Sequence, residues 1–570
     1  MSRLSRRALL EYSVLGAGAA LTGLPASAAG GVIGNPYADD GVKQWIFDDT
    51  SAVADTDSGK VVGYVRNDVR IFKGIPYAEI LSPQDRWKRG AKVRPWAGKR
   101  SSRSAGPICP GRPFDPHFLS LDIEAFKFLD LETTYSGEDC LRINVWTPGI
   151  DNKKRQVLFW CHGGGYDMGS SIMSRRYEGH NLARYGDVVV VSMDHRLHAL
   201  GFLDLTAYGS RWADTANLGM LDIVDALKWV QTNIANFGGD PAKVAILGQS
   251  GGGSKVLTLC AMPEAKGLFN RAVAMSGYPV PLATQEQSAA RTAEFLKRVD
   301  VSPNNLDALY ELPVETMVHQ LQPMFAAFNR AANRFDGWGT AAIAYKWAPV
   351  VDGRTVAYDP TQPTMASDVP LLIGTTLVET FGRAPLDHPE LMQMKEPQAR
   401  ELVRVALGPN GDSIYDVYKG VFPKANPYEV SMIARAIAQH RAPSAKIAQR
   451  RAALNSAPTY NYWFQWRATM WEGRAMPYHE SEIPLVFLNS DAIPRVTGGT
   501  AEARAMSLKM VDAWLAFADT GNPNTKTLPD WSPVTATELP SMVFNNSCRI
   551  DHGSDLAAIE TYWKERYPKG

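Results

Sequence analysis

The sequence predicts an α/β fold, with a large, mostly parallel sheet, helices on both of its faces and helical cap insertions. Apolar runs of strand length alternate with segments of helical periodicity over much of the 570-residue chain. Glycine-rich or polar residues follow several of these runs directly, as expected where functional residues collect at the carboxyl ends of parallel strands. A segment at about 280–345 breaks this alternation and is interpreted as a cap.

The predicted elements begin with two short antiparallel strands at residues 60–65 and 69–72, where β-branched residues alternate with polar ones. Residues 218–237 carry apolar side chains at helical spacing, and Gly238-Gly239 ends this helix. The insertion at 280–345 is rich in Phe, Met and Trp, so we expect it to line a pocket. Further strands are predicted at residues 140–148, 156–161, 187–193, 244–249, 272–275, 370–374 and 460–466.

The N-terminus resembles a bacterial twin-arginine (Tat) export signal. Arg6-Arg7 precede a mildly apolar segment at residues 13–24, and Ala26-Ser27-Ala28 has small residues at cleavage spacing. The pattern predicts a signal peptide at residues 1–28 and a single domain at 29–570, exported to the periplasm or secreted. The alternative is an uncleaved amphipathic start on a cytoplasmic protein.

The charge of the chain gives little indication of a macromolecular partner. A formal net charge of +1 at pH 7 gives no reason to expect nucleic acid or a membrane surface. After the N-terminus no apolar stretch of the sequence is long enough to span a bilayer, so we expect no stable membrane insertion. The oligomeric state is left open.

The sequence Gly-Gln-Ser-Gly-Gly at residues 248–252 matches the G-x-S-x-G pattern of a nucleophile elbow. In such a turn the serine, here Ser250, lies at a strained junction of strand and helix, and glycines allow the close approach of the backbone. The pattern alone is weak, because an ordinary turn has the same composition. The strand before it and the helical residues 252–259 after it favour a catalytic serine.

A nucleophilic serine needs a base to take its proton and an acid to orient that base. Glu379 lies just beyond the predicted strand at 370–374, and His479 lies in a loop after the strand at 460–466. Taken singly, a loop histidine or glutamate is more often solvated than catalytic. The order Ser250, Glu379, His479 is nevertheless the nucleophile, acid, base order of α/β-hydrolases.

The tetrahedral intermediate of such a reaction needs hydrogen-bond donors for its oxyanion. The His-Gly-Gly-Gly sequence at 162–165 offers backbone N–H groups without side chains, and Gly251 offers another. On its own, a glycine triplet after a strand is equally well a flexible loop. This chemistry requires no metal or organic cofactor, and the sequence has no His, Cys and Asp cluster with ligand spacing.

Five cysteines fit an exported protein with few disulfides. Cys109 and Cys140 flank a segment without strong strand character and could close a surface loop. Cys161, in a predicted strand, and Cys260, in an apolar helix, are interpreted as buried free thiols. Cys548 has no obvious partner, and the odd count leaves at least one thiol outside intrachain pairing.

Together these residues resemble the type-B carboxylesterases of the cholinesterase-like group, which have the α/β-hydrolase fold. The resemblance runs from about Gly59 to the C-terminus, and the Glu-Asp-Cys-Leu sequence at 138–141 is specific to the family. Beside the elbow, the matching motifs lie at residues 72–79, 138–145, 162–165, 221–222, 229–234, 237–241, 514, 517–518 and 520–523.

The resemblance implies a role for each matching residue. Ser250 is expected as the nucleophile, Glu379 as the acid and His479 as the base. The expected oxyanion donors are Gly164, Gly165 and Gly251. The resemblance also implies a disulfide between Cys109 and Cys140, and structural ion pairs of Arg196 with Asp222 and of Glu138 with Arg86.

The chain departs from the family pattern near the serine. Gln249 and Gly251 stand where the family usually has glutamate and alanine, and Asp194-His195 replaces the usual Asn-Tyr. Thr380 stands where a glycine commonly follows the acid. No match is found for the tryptophan that binds choline in cholinesterases, so choline esters are not expected as substrates.

These observations predict a serine carboxylesterase that acts on a small-molecule ester through an acyl-enzyme. One alternative is a non-catalytic adhesion or ligand-binding module on the same fold, since fold does not fix function. The other is a hydrolase of amides, carbamates or polyesters with the same triad. The identity of the ester is not indicated by the sequence.

Overall fold

The computed structural model describes residues 45–80, 82–111, 135–277, 282–320, 324, 347–360, 365, 367–379 and 388–566. The chain divides between Val32 and Ile33, and all described residues belong to the second unit, Ile33–Gly570. The predicted signal peptide at 1–28 therefore lies outside the described residues.

Fifteen strands are found in the described residues. They are β1 (Trp45–Ile46), β2 (Val53–Thr56), β3 (Gly59–Val62), β4 (Tyr64–Arg66), β5 (Val69–Pro76), β6 (Lys99–Ser101), β7 (Arg142–Thr147), β8 (Arg155–Cys161), β9 (Val189–Met193), β10 (Gly239–Gln249), β11 (Arg271–Met275), β12 (Leu371–Thr376), β13 (Thr459–Phe464), β14 (Ser541–Phe544) and β15 (Arg549–Asp551).

The α-helices of the same residues all come after β8 in the chain. They are α1 (His180–Gly186), α2 (His198–Phe202), α3 (Leu218–Asn233), α4 (Gly251–Cys260), α5 (Gln285–Arg298), α6 (Ala308–Glu311), α7 (Glu396–Leu407), α8 (Gly411–Val421), α9 (Pro427–Ala436), α10 (Ala442–Ala453), α11 (Ile483–Val486), α12 (Pro494–Thr497), α13 (Ala501–Thr520) and α14 (Leu556–Arg566).

The main sheet has the strand order β1-β4-β5-β7-β9-β8-β10-β11-β12-β13-β14-β15 within the described part of the chain. Neighbouring strands from β9 to β14 are parallel. The pairs at the two ends are antiparallel. The predicted α/β architecture with a large, mostly parallel sheet is confirmed.

Both faces of this sheet are buried, and β8 shows how. Successive side chains of a strand point to opposite faces. Val157, Phe159 and Cys161 belong to one hydrophobic cluster, whereas Leu158 and Trp160 belong to the other. Helices cover each cluster, which explains why the central strands were recognisable as continuous apolar runs.

The strand predicted at residues 60–65 is instead two strands in two sheets. It is split at Gly63, where a Cβ atom would lie 2.1 Å from the carbonyl oxygen of Ile71. β3 before the split pairs with β2 and β6 in a small second sheet, whereas β4 after it pairs with β1 and β5 in the main sheet. The backbone crosses too closely at this point for any residue but glycine.

The predicted insertion at 280–345 is described only in its first part. There α5 and α6 are followed by helical residues 314–320, in agreement with the helical prediction. The remaining residues of the insertion, apart from Met324, lie outside the described residues. Among the residues that are described, no helix has both the length and the apolar character needed to cross a bilayer.

The disulfide that the resemblance implies is not formed in this structure, because Cys109 and Cys140 are both free thiols. The fold does bring the two side chains together, since they hydrogen bond to each other. Burial alone would raise the pKa of Cys109, but hydrogen bonds from Cys140 and His198 lower it to about 6. The predicted burial of Cys161 and Cys260 is found.

The ion pairs implied by the resemblance are both formed. Arg86 Nε lies 2.5 Å from Glu138 Oε2. Arg196 Nη2 lies 2.5 Å from Asp222 Oδ1, and both side chains are at most 2% exposed. The Arg196 backbone N–H also donates to Asp222 Oδ2 at 3.0 Å. The two contacts between Arg196 and Asp222 join the loop after β9 to helix α3.

We expect Asp222→Ala to lower the free energy of unfolding by about 3–5 kcal/mol, because it leaves the buried guanidinium of Arg196 without a counter-charge. Urea unfolding followed by fluorescence measures this loss. Asp491→Ala is the control, since Asp491 pairs with Arg504 at the surface, where both side chains are about 40% exposed. Such a pair contributes about 0–1 kcal/mol. Equal losses in the two variants would contradict the prediction.

Candidate active site

Ser250 lies at the tip of a strained turn between β10 and α4. Its backbone angles are φ 58° and ψ −124°, a region that residues other than glycine rarely adopt. The turn is possible because Gly252 has no side chain, since a Cβ there would lie 2.0 Å from the carbonyl oxygen of Cys161. The Ser250 N–H donates to the Met275 carbonyl at 2.9 Å, which ties the turn to β11. This is the geometry of a nucleophile elbow.

Glu379 and His479 form a short hydrogen bond, although they are a hundred residues apart. His479 Nδ1 donates to Glu379 Oε2 at 2.6 Å. Glu379 Oε1 accepts two further hydrogen bonds, from Ser276 Oγ at 2.7 Å and from the Thr376 N–H at 2.8 Å. These residues follow or end β11, β12 and β13, so one edge of the sheet brings them together.

The imidazole of His479 lies beside the elbow. Gln249 Nε2, on the residue before Ser250, is 3.5 Å from each ring nitrogen of His479. His479 and Glu379 are both buried, with 8% and 5% of their surface exposed. The structure therefore brings the three predicted residues to one site, with the acid and the base in direct contact.

The ionisation of the pair suits general base catalysis. Burial would raise the pKa of Glu379, but the charges of His440 and His479 and the hydrogen bonds it accepts lower that pKa to about 2. Burial opposes protonation of His479, but the hydrogen bond to Glu379 and its charge outweigh burial and raise the pKa of His479 above 6.5. The carboxylate is charged at neutral pH and stabilises an imidazolium.

We expect kcat/KM for an ester to fall as the pH decreases through the pKa of His479. A general base acts only when it is unprotonated, and the raised pKa places the midpoint of this limb above pH 6.5. A pH–rate profile with a substrate that does not ionise measures it. A flat profile down to pH 5.5 would show that His479 does not act as the base.

The glycine loop at 162–165 packs directly against the elbow. A Cβ on Gly251 would lie 2.2 Å from the amide nitrogen of Gly165, and a Cβ on Gly163 would lie 3.6 Å from Ser250 Cβ. Gly164 and Gly165 have φ angles of 89° and 65°, which favour glycine. The predicted oxyanion donors Gly164, Gly165 and Gly251 thus lie next to one another and beside Ser250.

His440 is a site residue that the sequence did not indicate. Its Nδ1 lies 3.8 Å from Glu379 Oε2, and its ring centroid lies 5.1 Å from that of His479. Among the described residues, Glu379, His440 and His479 form a group of metal-ligand type, with ligand atoms within 4.8 Å of one another. No such cluster was expected, because its members come from three distant segments. The carboxylate is already engaged by His479, Ser276 and Thr376.

Glu482 is a second residue that the sequence did not indicate. It is fully buried three residues after His479, and neither carboxyl oxygen has a hydrogen-bond partner on another described residue. Burial, together with the nearby charge of Glu379, raises the pKa of Glu482 to about 8. Near neutral pH Glu482 is therefore mostly protonated and adds little negative charge beside His479.

Sequence and structure comparisons place this fold among known proteins. A sequence model of the carboxylesterase family matches residues 50–560. The chain belongs to the carboxylesterase family. It is 32% identical to the para-nitrobenzyl esterase of Bacillus subtilis (strain 168) over 513 residues, which cover 88% of this chain and 96% of that protein. It is 30% identical to the phenmedipham hydrolase of Pseudarthrobacter oxydans, over 89% of this chain and 97% of that protein.

Solved carboxylesterase structures have the same fold. An esterase from Clostridium hathewayi, described as able to hydrolyse aliphatic aromatic polyesters, has a TM-score of 0.78 and 30% identity over 92% of this chain and 100% of its own. Carboxylesterase EST55 of Geobacillus stearothermophilus has a TM-score of 0.71 and 30% identity over 89% of this chain and 99% of its own. The protein is a carboxylic ester hydrolase with the α/β-hydrolase fold, as predicted, and acts on small-molecule esters.

Proposed function

We propose that Ser250, His479 and Glu379 hydrolyse esters through a covalent acyl-enzyme. The observation that carries this proposal is the 2.6 Å hydrogen bond from His479 Nδ1 to Glu379 Oε2, beside the strained turn of Ser250. Since Nδ1 carries the proton that the carboxylate accepts, Nε2 is left as the proton acceptor. A base of this tautomer is what a serine nucleophile requires.

The reaction then has two steps. His479 removes the proton of Ser250 Oγ as the oxygen attacks the ester carbonyl, and it returns that proton to the departing alcohol. The remaining acyl-enzyme is attacked by water, again with His479 as base, and the acid is released. Glu379 keeps the imidazole oriented and stabilises its positive charge in both steps.

The amides of Gly164, Gly165 and Gly251 are proposed to bind the oxyanion of each tetrahedral intermediate. Support comes from the contact between Gly165 and Gly251 and from the place of both loops beside Ser250. Backbone amides need no reorganisation when charge develops on the carbonyl oxygen, so they lower the energy of the transition state more than that of the bound ester.

We propose that the preferred substrates are uncharged rather than cationic esters. Gln249 is a neutral amide where the family usually has a carboxylate, and Glu482 is mostly protonated near neutral pH. A cationic ester such as a choline ester therefore meets less negative charge beside the nucleophile than it would in a protein with glutamate at position 249. Comparison of butyrylcholine with a neutral butyrate ester tests this, and a higher kcat/KM for the cationic ester would refute it.

Burst kinetics with p-nitrophenyl butyrate test the acyl-enzyme directly. We expect a burst of one nitrophenol per chain when deacylation is the slower step, and a fluorophosphonate should modify Ser250, as located by peptide mass spectrometry. Modification of another residue would refute the assignment. The same preparation, incubated with the matching anilide, a carbamate and a polyester film, shows whether the alternative substrates are hydrolysed.

We also propose export through the Tat signal at residues 1–28. The twin arginines, the apolar segment and the small residues before Ala29 support it. Replacement of Arg6-Arg7 by Lys-Lys should retain the enzyme in the cytoplasm, as fractionation would show. Export to an oxidising compartment would also allow Cys109 and Cys140 to form the implied disulfide. Mass measurement of the exported enzyme with and without reductant tests this.

A further inference from the structure

Lys255 is a fully buried lysine close to the proposed active site. It lies in helix α4, five residues after Ser250, and has no exposed surface. Lysine is almost never fully buried unless its charge is paired. Among the described residues, however, no carboxylate lies within the 4.0 Å of an ion pair with its Nζ. The burial of Lys255 therefore calls for another explanation.

The hydrogen bond of Lys255 goes to the start of the glycine loop. Lys255 Nζ donates to the carbonyl oxygen of His162 at 2.9 Å. His162 is the residue after β8 and directly precedes the three glycines. Lys255 and Gly251 are four residues apart and so lie on one face of α4. One helix face therefore contacts both Gly165, through Gly251, and the first peptide of the loop, through Lys255.

We propose that Lys255 is a positioning residue of the oxyanion hole, which fixes the glycine loop by holding the carbonyl of His162. The proposal rests on the function proposed for Ser250 and for the glycine amides. Lys255 itself does not touch the ester.

The other carbonyls of the loop show why this contact matters. A hydrogen bond to a carbonyl fixes its peptide plane and thereby the direction of the next N–H group. The Gly163 carbonyl accepts from His162 Nδ1 at 2.8 Å, which fixes the N–H of Gly164. The Gly164 carbonyl accepts from the Met168 N–H at 3.2 Å, which fixes the N–H of Gly165. Lys255 fixes the peptide between His162 and Gly163. It thereby also places His162, whose ring donates to the Gly163 carbonyl.

Glycine has the largest conformational freedom of all residues, so a loop of three glycines needs such fixed points. Oxyanion donors are effective only when they lie at about 2.7–3.1 Å from the developing charge. Without Lys255, the carbonyl of His162 keeps no hydrogen-bond donor among the described residues. His162, whose ring holds the Gly163 carbonyl, is then less firmly placed, and the amide of Gly164 is expected to sample other directions. The loss falls on the transition state, since the ground-state ester carries no full charge.

The charge state of Lys255 does not change this role. Burial lowers the pKa of Lys255 to about 7. The titratable groups near it include Tyr166, whose ring centroid lies 5.9 Å from Nζ, and also Cys161, Asp167 and Asp194. The neighbouring imidazoles of His162 and His195 are neutral, because burial, together with the charge of Lys255, lowers their pKa well below 6.5. The ammonium and the neutral amine both donate to a carbonyl. The test therefore measures transition-state binding rather than a pH profile.

The test compares the wild-type enzyme with Lys255→Met, which keeps an unbranched side chain one bond shorter than lysine and removes its donor. We expect kcat for p-nitrophenyl butyrate to fall about 10- to 100-fold, with KM changed less than about 3-fold. The affinity for an alkyl trifluoromethyl ketone, which forms a hemiketal oxyanion on the serine, should fall by the same factor as kcat/KM. Thr497→Val, a buried polar-to-apolar change at a hydroxyl that donates to the Ser490 carbonyl at 2.6 Å, should alter neither quantity.

A purely structural lysine would give a different result. Lys255→Met would then unfold at a lower temperature but keep the wild-type kcat and the wild-type affinity for the ketone, and this would overturn the proposal. If Lys255→Met does not fold, Lys255→Gln replaces it. Glutamine is polar but one bond shorter, so kcat and ketone affinity should again fall together. Failure of a fluorophosphonate to modify Ser250 in the wild-type enzyme would instead refute the proposed function itself.

Discussion

Ser250→Ala should lower kcat for p-nitrophenyl butyrate by roughly a million-fold, to a rate set by binding and the oxyanion donors alone. Ser250 Oγ is the atom that forms the ester bond of the acyl-enzyme, so its removal abolishes both chemical steps. The substitution leaves the backbone of the turn unchanged, although alanine must adopt the same φ of 58°. KM or a competitive product Ki should therefore stay near the wild-type value, because the amides of the glycine loop and the other side chains of the site remain.

The measurement is a stopped-flow burst together with fluorophosphonate labelling. We expect neither a burst nor a label in Ser250→Ala. The control is Ser507→Ala, which removes a fully buried hydroxyl that donates to the Leu485 carbonyl at 2.5 Å. This variant should label and turn over like the wild type. A Ser250→Ala enzyme that retained a tenth of the wild-type kcat would assign the nucleophile to another residue.

Much of this site could be predicted from the sequence because its residues occupy one kind of position. Ser250, Glu379 and His479 each follow a strand, and in a parallel sheet the carboxyl ends of neighbouring strands lie at one edge. The apolar runs β10, β12 and β13 were recognisable because both faces of the sheet are buried. Local pattern and chain order were therefore enough to identify the three residues as candidates.

The supporting residues were not predictable in this way. His440 lies in the π-helical turn Ile437–Arg441 between α9 and α10, where nothing in the local sequence distinguishes it from an ordinary helix residue. Glu482 and Lys255 are charged residues that a single sequence would place on the surface, since charged groups are normally solvated. Their burial depends on packing between segments that are far apart in the chain.

The split of the strand predicted at 60–65 likewise depends on packing between segments that are far apart in the chain. The residues on either side of Gly63 have the alternation of one strand, and only the approach of Ile71 shows that the chain passes from one sheet to another there. A close approach of this kind is a tertiary contact. Local propensity gives the type of an element, whereas contacts of this kind decide where it ends.

His479→Ala should lower kcat/KM by a factor on the order of 10⁵–10⁶, close to the loss expected for the nucleophile. Without the imidazole no group removes the proton of Ser250 Oγ, and Glu379 loses the partner that its 2.6 Å hydrogen bond orients. The pH dependence with a midpoint above pH 6.5 should also disappear from kcat/KM of this variant. The residual rate should instead rise with hydroxide concentration, because solvent then replaces the base. Rates measured from pH 6 to 9 test both features.

The control is His388→Ala, at an exposed histidine that pairs with Glu390, and this variant should match the wild type. If His479→Ala kept the wild-type pH limb, the group that titrates would be His440, whose Nδ1 lies 3.8 Å from the same carboxylate, and the double variant would distinguish the two.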